Sequence, residues 1–144
     1  MINGAYSFLK PVIFDGNKVR YFTVKGNSMW PLIKDGQRVK ISAIRKPFKK
    51  GKCYLFVNKN VLYIHRLLRI SDKKAFLLGD YSEKIEVVPH EAIIGELEYS
   101  QNRIILFILN LINSIYINTV PGIFRGMRIR NRVFSMFAKL EKLQ

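Results

Sequence analysis

From about residue 19 to residue 99 the chain alternates short apolar runs with polar breaks, and each run has the length of a strand, not of a helix. The runs are 21–25, 37–43, 53–58, 61–70, 74–78 and 92–99, rich in Val, Ile, Leu, Tyr and Phe, which fit a pleated, half-buried surface. Turn residues stand where the runs stop: Gly26-Asn27, Asp35-Gly36, Gly51, Lys59-Asn60, Ser71-Asp72 and Gly79-Asp80. They supply the backbone freedom and local hydrogen bonds that reverse a chain. The pattern predicts a mostly β domain over 1–102, with Lys59-Asn60 as a hairpin turn.

The character changes after Asn102-Arg103. Residues 104–124 hold no charged side chain, and as a helix rising ~1.5 Å per residue they reach about the ~30 Å of a bilayer core. Asn110, Asn113, Ser114 and Asn118 gather on one helical face, which a fully lipid-facing span would avoid. Beyond Pro121-Gly122, Ile129, Val133, Met136, Phe137 and Leu140 recur at helical spacing, opposite Arg128, Arg132, Lys139 and Lys142. That is the pattern of a basic amphipathic helix, which lies in an anionic membrane interface or packs on a domain with its basic face in water. The expectation is a β domain followed by a helical, basic, membrane-associating segment over 103–144.

Composition sharpens this in two ways. The 144 residues carry 25 Lys and Arg against 10 Asp and Glu, a formal net charge of +15, yet 49% are apolar, so the chain can bury a core and is not read as disordered. The charge implies an anionic partner without choosing among lipid, nucleic acid and acidic peptide. Residues 1–103 have 19 basic and 9 acidic side chains, and residues 104–144 have 6 and 1, so both parts are basic. One cysteine, Cys53, excludes an internal disulfide framework, and two histidines offer no zinc spacing, so neither a metal nor a cofactor is expected. Lys10, Pro11, Asp15 and Gly16 interrupt the first 18 residues, which do not read as a cleavable signal peptide.

Three places could carry chemistry. Ser28 stands at a corner between two strand runs, after Gly26-Asn27, where its hydroxyl could face a groove while nearby N–H groups meet a developing oxyanion. Alone, it reads better as a turn serine bonded to its own backbone. His65 lies 37 residues later inside an apolar strand, where it is either a hydrogen-bonded core residue or a general base for a serine proton. Asp80 follows Gly79 at a strand terminus, where a carboxylate could orient an imidazole. Together these are a nucleophile, a base and an acid, though their order does not show that they meet. Lys52 and Lys59 are alternative bases without apolar flanks to depress their pKa values. Cys53 reads as a small core residue, His90 as a loop histidine, and the clusters Arg45-Lys46, Lys49-Lys50-Lys52 and Lys73-Lys74 as solvated faces.

Ser28-Met29-Trp30-Pro31-Leu32, followed by Asp35-Gly36 and Arg38-Val39-Lys40-Ile41, resembles the S-M-x-P-x-L-x-x-G-D-x-V nucleophile box of type I signal peptidases and of the LexA-like self-cleaving repressors. Ile64-His65-Arg66-Leu67 resembles the V-H-R-V box of the endoplasmic-reticulum and archaeal signal peptidases, in which histidine replaces a lysine base. Gly79-Asp80 resembles the G-D-N-N box of that subtype, and Val88-Pro89 with Ile94-Gly95-Glu96-Leu97 resembles its closing V-P-x-x-x-I-x-G-K-V strand. The resemblance implies a signal-peptidase-like antiparallel β domain of coiled sheets forming a partial barrel. It implies Ser28 as nucleophile and oxyanion donor, His65 as base and Asp80 as the acid positioning or charging the imidazole, with Glu86 as a candidate second acid. Gly26, Met29 and Pro31, around Ser28, are assigned to substrate. Three departures bear on substrate and topology: Gln37 replaces the box aspartate, the G-D-N-N box reads Gly-Asp-Tyr-Ser, and an N-terminal membrane anchor is missing from the pattern.

The expected function is a membrane-associated serine endopeptidase that cleaves signal or leader peptides after small residues, or a specialised peptide-maturation enzyme. Its expected partners are a precursor peptide and an anionic membrane surface. The first rival is a catalytically silent module binding peptide or lipid on the same fold. The second, a DNA-linked repressor relative, finds no helix-turn-helix pattern ahead of the β domain, so no nucleic acid is expected.

Overall fold

A computed structural model describes residues 13–14, 18–44, 46–98 and 111, and expectations for the C-terminal helical extension fall outside them. Seven strands form one antiparallel sheet: β1 (Val19–Thr23), β2 (Arg38–Ala43), β3 (Cys53–Asn58), β4 (Val61–Ile70), β5 (Lys74–Leu78), β6 (Ile85–Pro89) and β7 (Ile93–Leu97). Their order in space is β1-β2-β7-β3-β4-β5-β6. A 3-10 turn, His90–Ala92, leads into β7. Among the described residues no helix is long and apolar enough to cross a membrane.

The burial of each strand follows from its neighbours. β2 alternates, with Val39 and Ile41 buried and Arg38 and Lys40 exposed, as expected of a strand with one face on a core. β3 is central and buried from Cys53 to Val57. Cys53, Leu55 and Val57 join one core with Met29, Leu32, Ile33, Val39, Ile41 and Ile94. Tyr54 and Phe56 point the other way, into a second core with Leu67, Leu77, Val88 and Ile93. Cys53 is thus the small core residue expected of it.

β3 and β4 form the expected hairpin, pairing from Cys53 with Arg66 to Asn58 with Val61. Lys59 and Asn60 both have positive φ, 49° and 62°, the conformation a two-residue turn needs to match strand twist. β5 occupies the predicted range, and β1, β2 and β7 differ by a few residues at their ends. β6 has no counterpart among the predicted runs. It is an edge strand of which only Val88 is buried, so neither alternation nor a continuous apolar run marks it.

The sheet is strongly coiled. The Asn58 Nδ2 donates to Glu86 Oε2 at 2.6 Å, although β3 and β6 are separated by two strands. In a flat sheet they would stand roughly 14 Å apart, three spacings of about 4.8 Å. Curvature therefore folds β6 back over β3, encloses the second core, and brings charged groups of β6 toward the middle of β4.

Candidate active site

Ser28 is presented by the β1–β2 connection, which is tied at its base and wedged by its own apolar residues. Val24 N–H donates to Gln37 O and Gly36 N–H to Val24 O, both at 2.9 Å, while Gly26 N–H donates to Asp35 Oδ1 at 2.6 Å. Gly26 and Gly36 have φ of +84° and +75°, a region that disfavours a Cβ, so both closures depend on glycine. Gln37, where the signal-peptidase box carries aspartate, accepts Lys34 N–H on its own side chain and so caps the turn. Past the serine, Ile33 N–H bonds Met29 O, and Met29, Leu32 and Ile33 are sunk in the first core. Ser28 remains exposed on a loop anchored at both ends.

His65, on β4, is only 4% exposed. The rings of Phe56 and Tyr63 pack against its imidazole at centroid distances of 5.5 and 5.8 Å. Its Nε2 stands 3.3 Å from Ser28 Oγ, a slightly long hydrogen bond of the kind free hydrolytic sites show before substrate tightens them. Burial drives the imidazole pKa down from 6.5 to about 4, against the opposing charges of Glu86 and then Asp80. The ring is therefore neutral at pH 7 and free to accept a proton at Nε2. Its Nδ1 is buried and has no hydrogen-bond partner among the described residues.

Asp80 is not the hydrogen-bond partner of that ring, contrary to the expected orienting role. Arg66 donates to both of its carboxylate oxygens, Nε to Oδ1 at 2.7 Å and Nη2 to Oδ2 at 2.6 Å, and neither residue is exposed to solvent. A fully buried carboxylate needs such a bidentate partner to remain charged. Glu86, on β6, exerts the larger charge on His65 and is held by Asn58 and Lys84.

The segment after β5 locks serine and histidine together. Tyr81 N–H donates to Ser28 O at 2.8 Å, and the Tyr81 ring meets Trp30 edge-on at 5.6 Å. A methyl group on Gly79 would lie 2.5 Å from Ser28 O and 3.1 Å from His65 Nε2. Gly79→Ala must therefore displace backbone against backbone. The expected result is a destabilisation of about 1–3 kcal/mol and, for any reaction at Ser28, a rate on the order of 100-fold lower. Thermal melts and serine acylation measure the two, and an unchanged rate would refute the close approach.

A groove of about 450 Å³ runs from Ser28 between residues 22–29 and residues 61–64. Gly26 and Met29 line it, and Met29, 1% exposed, reaches it from the core below. Pro31 does not line it: the turn carries Pro31 away from the groove to a half-buried position. Neither Lys52 nor Lys59 lines it either. Lys52 is paired with Glu96, and Lys59 forms the β3–β4 turn. The contributions of Gly79, Arg66 and the groove wall were not singled out from the sequence. Arg66 did leave a signal, since a cation inside the apolar run 61–70 calls for a buried anion.

Among the described residues no cluster of His, Cys, Asp and Glu could hold a metal ion. Comparison with curated proteins finds no match. A family model described as Peptidase S24-like matches residues 2–97, about two thirds of the chain and the whole described sheet. With that match, and with a serine and a neutral histidine within hydrogen-bond reach at the head of a groove, the chain belongs to the Peptidase S24-like family.

Proposed function

We propose that this protein is a serine endopeptidase of the histidine-dependent, signal-peptidase-like kind, cutting signal or leader peptides after small residues through an acyl-enzyme. The observation that carries the reading is the 3.3 Å approach of Ser28 Oγ to a neutral His65 Nε2. In the first step the Ser28 oxygen attacks the scissile carbonyl carbon while its proton passes to Nε2, and the carbonyl oxygen becomes an oxyanion facing the Ser28 N–H. As the C–N bond breaks, Nε2 returns that proton to the leaving amine and an ester remains on Ser28. Water, deprotonated by the same nitrogen, then hydrolyses the ester.

The groove suits an extended peptide. β1 pairs only with β2, and β4 pairs with β5 only from Arg66 onward. Both groove walls, 22–24 on β1 and its exit and 61–64 on β4, thus keep a strand edge without a pairing strand among the described residues. A substrate strand inserted there would gain backbone hydrogen bonds while alternate side chains met Val24, Met29, Leu62 and Ile64. The preference for small residues and the secretory substrate class rest on the motif resemblance, and residues 103–144 supply the membrane anchor in this reading.

Glu86 is assigned the acid role toward His65, since its charge opposes the burial of the imidazole more strongly than Asp80 does. Glu86→Gln is expected to lower the His65 midpoint further below 4, read by NMR titration of the ring, and an unmoved midpoint would remove Glu86 from the site. The deciding experiment treats the full chain, in detergent or lipid, with a serine-directed acylating probe and maps the adduct by mass spectrometry. Labelling at Ser28 that depends on His65 supports the peptidase. A folded protein that takes no label would assign the groove to peptide binding without hydrolysis.

A further inference from the structure

We propose that the buried Arg66–Asp80 pair is a positioning strut that sets the distance between Ser28 and His65, so that Asp80 acts on the site through Arg66 and the residue 79–82 segment and not as a partner of the ring. The inference rests on the peptidase reading for its rate measurements alone.

The geometry makes the pair a crossbrace. Arg66 directly follows His65 on β4, so its side chain leaves the opposite face of the strand from the imidazole. It is 0% exposed, and its fork grips both oxygens of Asp80 while Nη1 donates to Gly51 O at 2.6 Å. Gly51 in turn donates its N–H to Leu67 O, which returns the brace to β4. At the other end, Asp80 lies between Gly79, packed against Ser28 O and His65 Nε2, and Tyr81, whose N–H holds Ser28 O. One ion pair therefore connects the strand that carries the base to the segment that carries the nucleophile's carbonyl. Both oxygens of Asp80 are held by the guanidinium fork, so Asp80 makes no hydrogen bond to the ring and its charge reaches His65 only through space, as the smaller of the two acting there. Its rigid two-bond geometry is what ties Asp80 to the position of the dyad.

A merely stabilising ion pair and a strut predict different behaviour when the pair is replaced as a unit. Removing one partner strands a buried charge, whereas replacing both with apolar groups of similar volume is often neutral for stability. In the full chain, Arg66→Met should lower the thermal midpoint, and Arg66→Met with Asp80→Leu should restore it to near the wild-type value. Acylation of Ser28 should stay on the order of 100-fold slow in both variants, with the loss in the maximal rate and not in the probe concentration giving half that rate. Arg66→Lys, which keeps the charge without the fork, should fold and acylate about tenfold slowly.

A second readout needs no activity. With ¹⁵N-labelled histidine, the wild-type His65 ring should show one tautomer held by Ser28, and the double variant an average of two. Recovery of the wild-type rate along with stability in the double variant, an unchanged rate in Arg66→Lys, or a wild-type ring spectrum in the double variant would each overturn the strut. If the wild-type protein takes no acyl label, the peptidase reading fails and the ring spectra alone decide.

Discussion

Ser28→Ala leaves no acylated protein, and His65→Ala slows acylation by about 10²–10⁴-fold, the range that a positioned general base supplies. The expectation follows from the 3.3 Å contact and from the neutrality of the imidazole at working pH. Serine is a weak nucleophile until a base takes its proton as the new bond forms. Without Nε2 the proton has to leave to water, which is a weaker base held in no fixed position. Label retained in Ser28→Ala and mapped to another residue would move the nucleophile elsewhere and end the proposed mechanism.

Folding stability falls by about 3 kcal/mol between pH 6.5 and pH 4 on account of His65 alone. The sign follows from the direction of the shift: the folded pKa is depressed to about 4 from 6.5, so in that window the unfolded chain binds a proton that the folded one refuses. The stabilising contribution is complete above the unfolded value and is lost as pH falls through 6.5 toward 4, at about 1.4 kcal/mol per pKa unit. Urea melts of wild type and His65→Asn at pH 7 and pH 4 isolate the effect, because other titrating groups cancel between the two proteins. The stability gap should narrow by about that amount at the lower pH, and a constant gap would show that the imidazole charges freely inside the fold. The same midpoint governs the rate, so acylation should be flat from pH 6 to 8 with its acid limb near 4.

Much of this molecule was legible in its apolar runs, and the exceptions have physical causes. The β3–β4 hairpin was readable because Lys59-Asn60 interrupts two strand-like runs at the shortest loop length that strand twist favours. β6 was not, because an edge strand that buries only Val88 leaves almost no pattern. Ser28 and His65 were identified as residue types in motif order. Their meeting was invisible, since it depends on the coiling of a sheet in which their elements are not neighbours. Asp80 was legible as an acid at a strand end but not in its partner. Arg66, a cation inside an apolar run, signals a buried anion without saying which, and only the packing of Gly51 and the 79–82 segment over that face of β4 supplies Asp80. Among the substrate positions, Gly26 and Met29 reach the groove, whereas Pro31 is carried away by the turn that begins at Ser28.

The place of β7 has a consequence for when the candidate site is assembled. Among the described residues it is the last strand, yet it lies between β2 and β3 and is the only one that pairs with both. Until residues 93–97 have been made and inserted, the β1–β2 hairpin with Ser28 shares no ladder with the β3–β6 meander that bears His65. Such distant pairings close late, because the entropy of the intervening chain is lost before any contact repays it. A nascent chain on the ribosome therefore carries Ser28 and His65 on two halves that no sheet ladder yet joins, held only by the 79–82 segment and the shared apolar core, and the continuous sheet that fixes them is completed only as residues 93–97 are added.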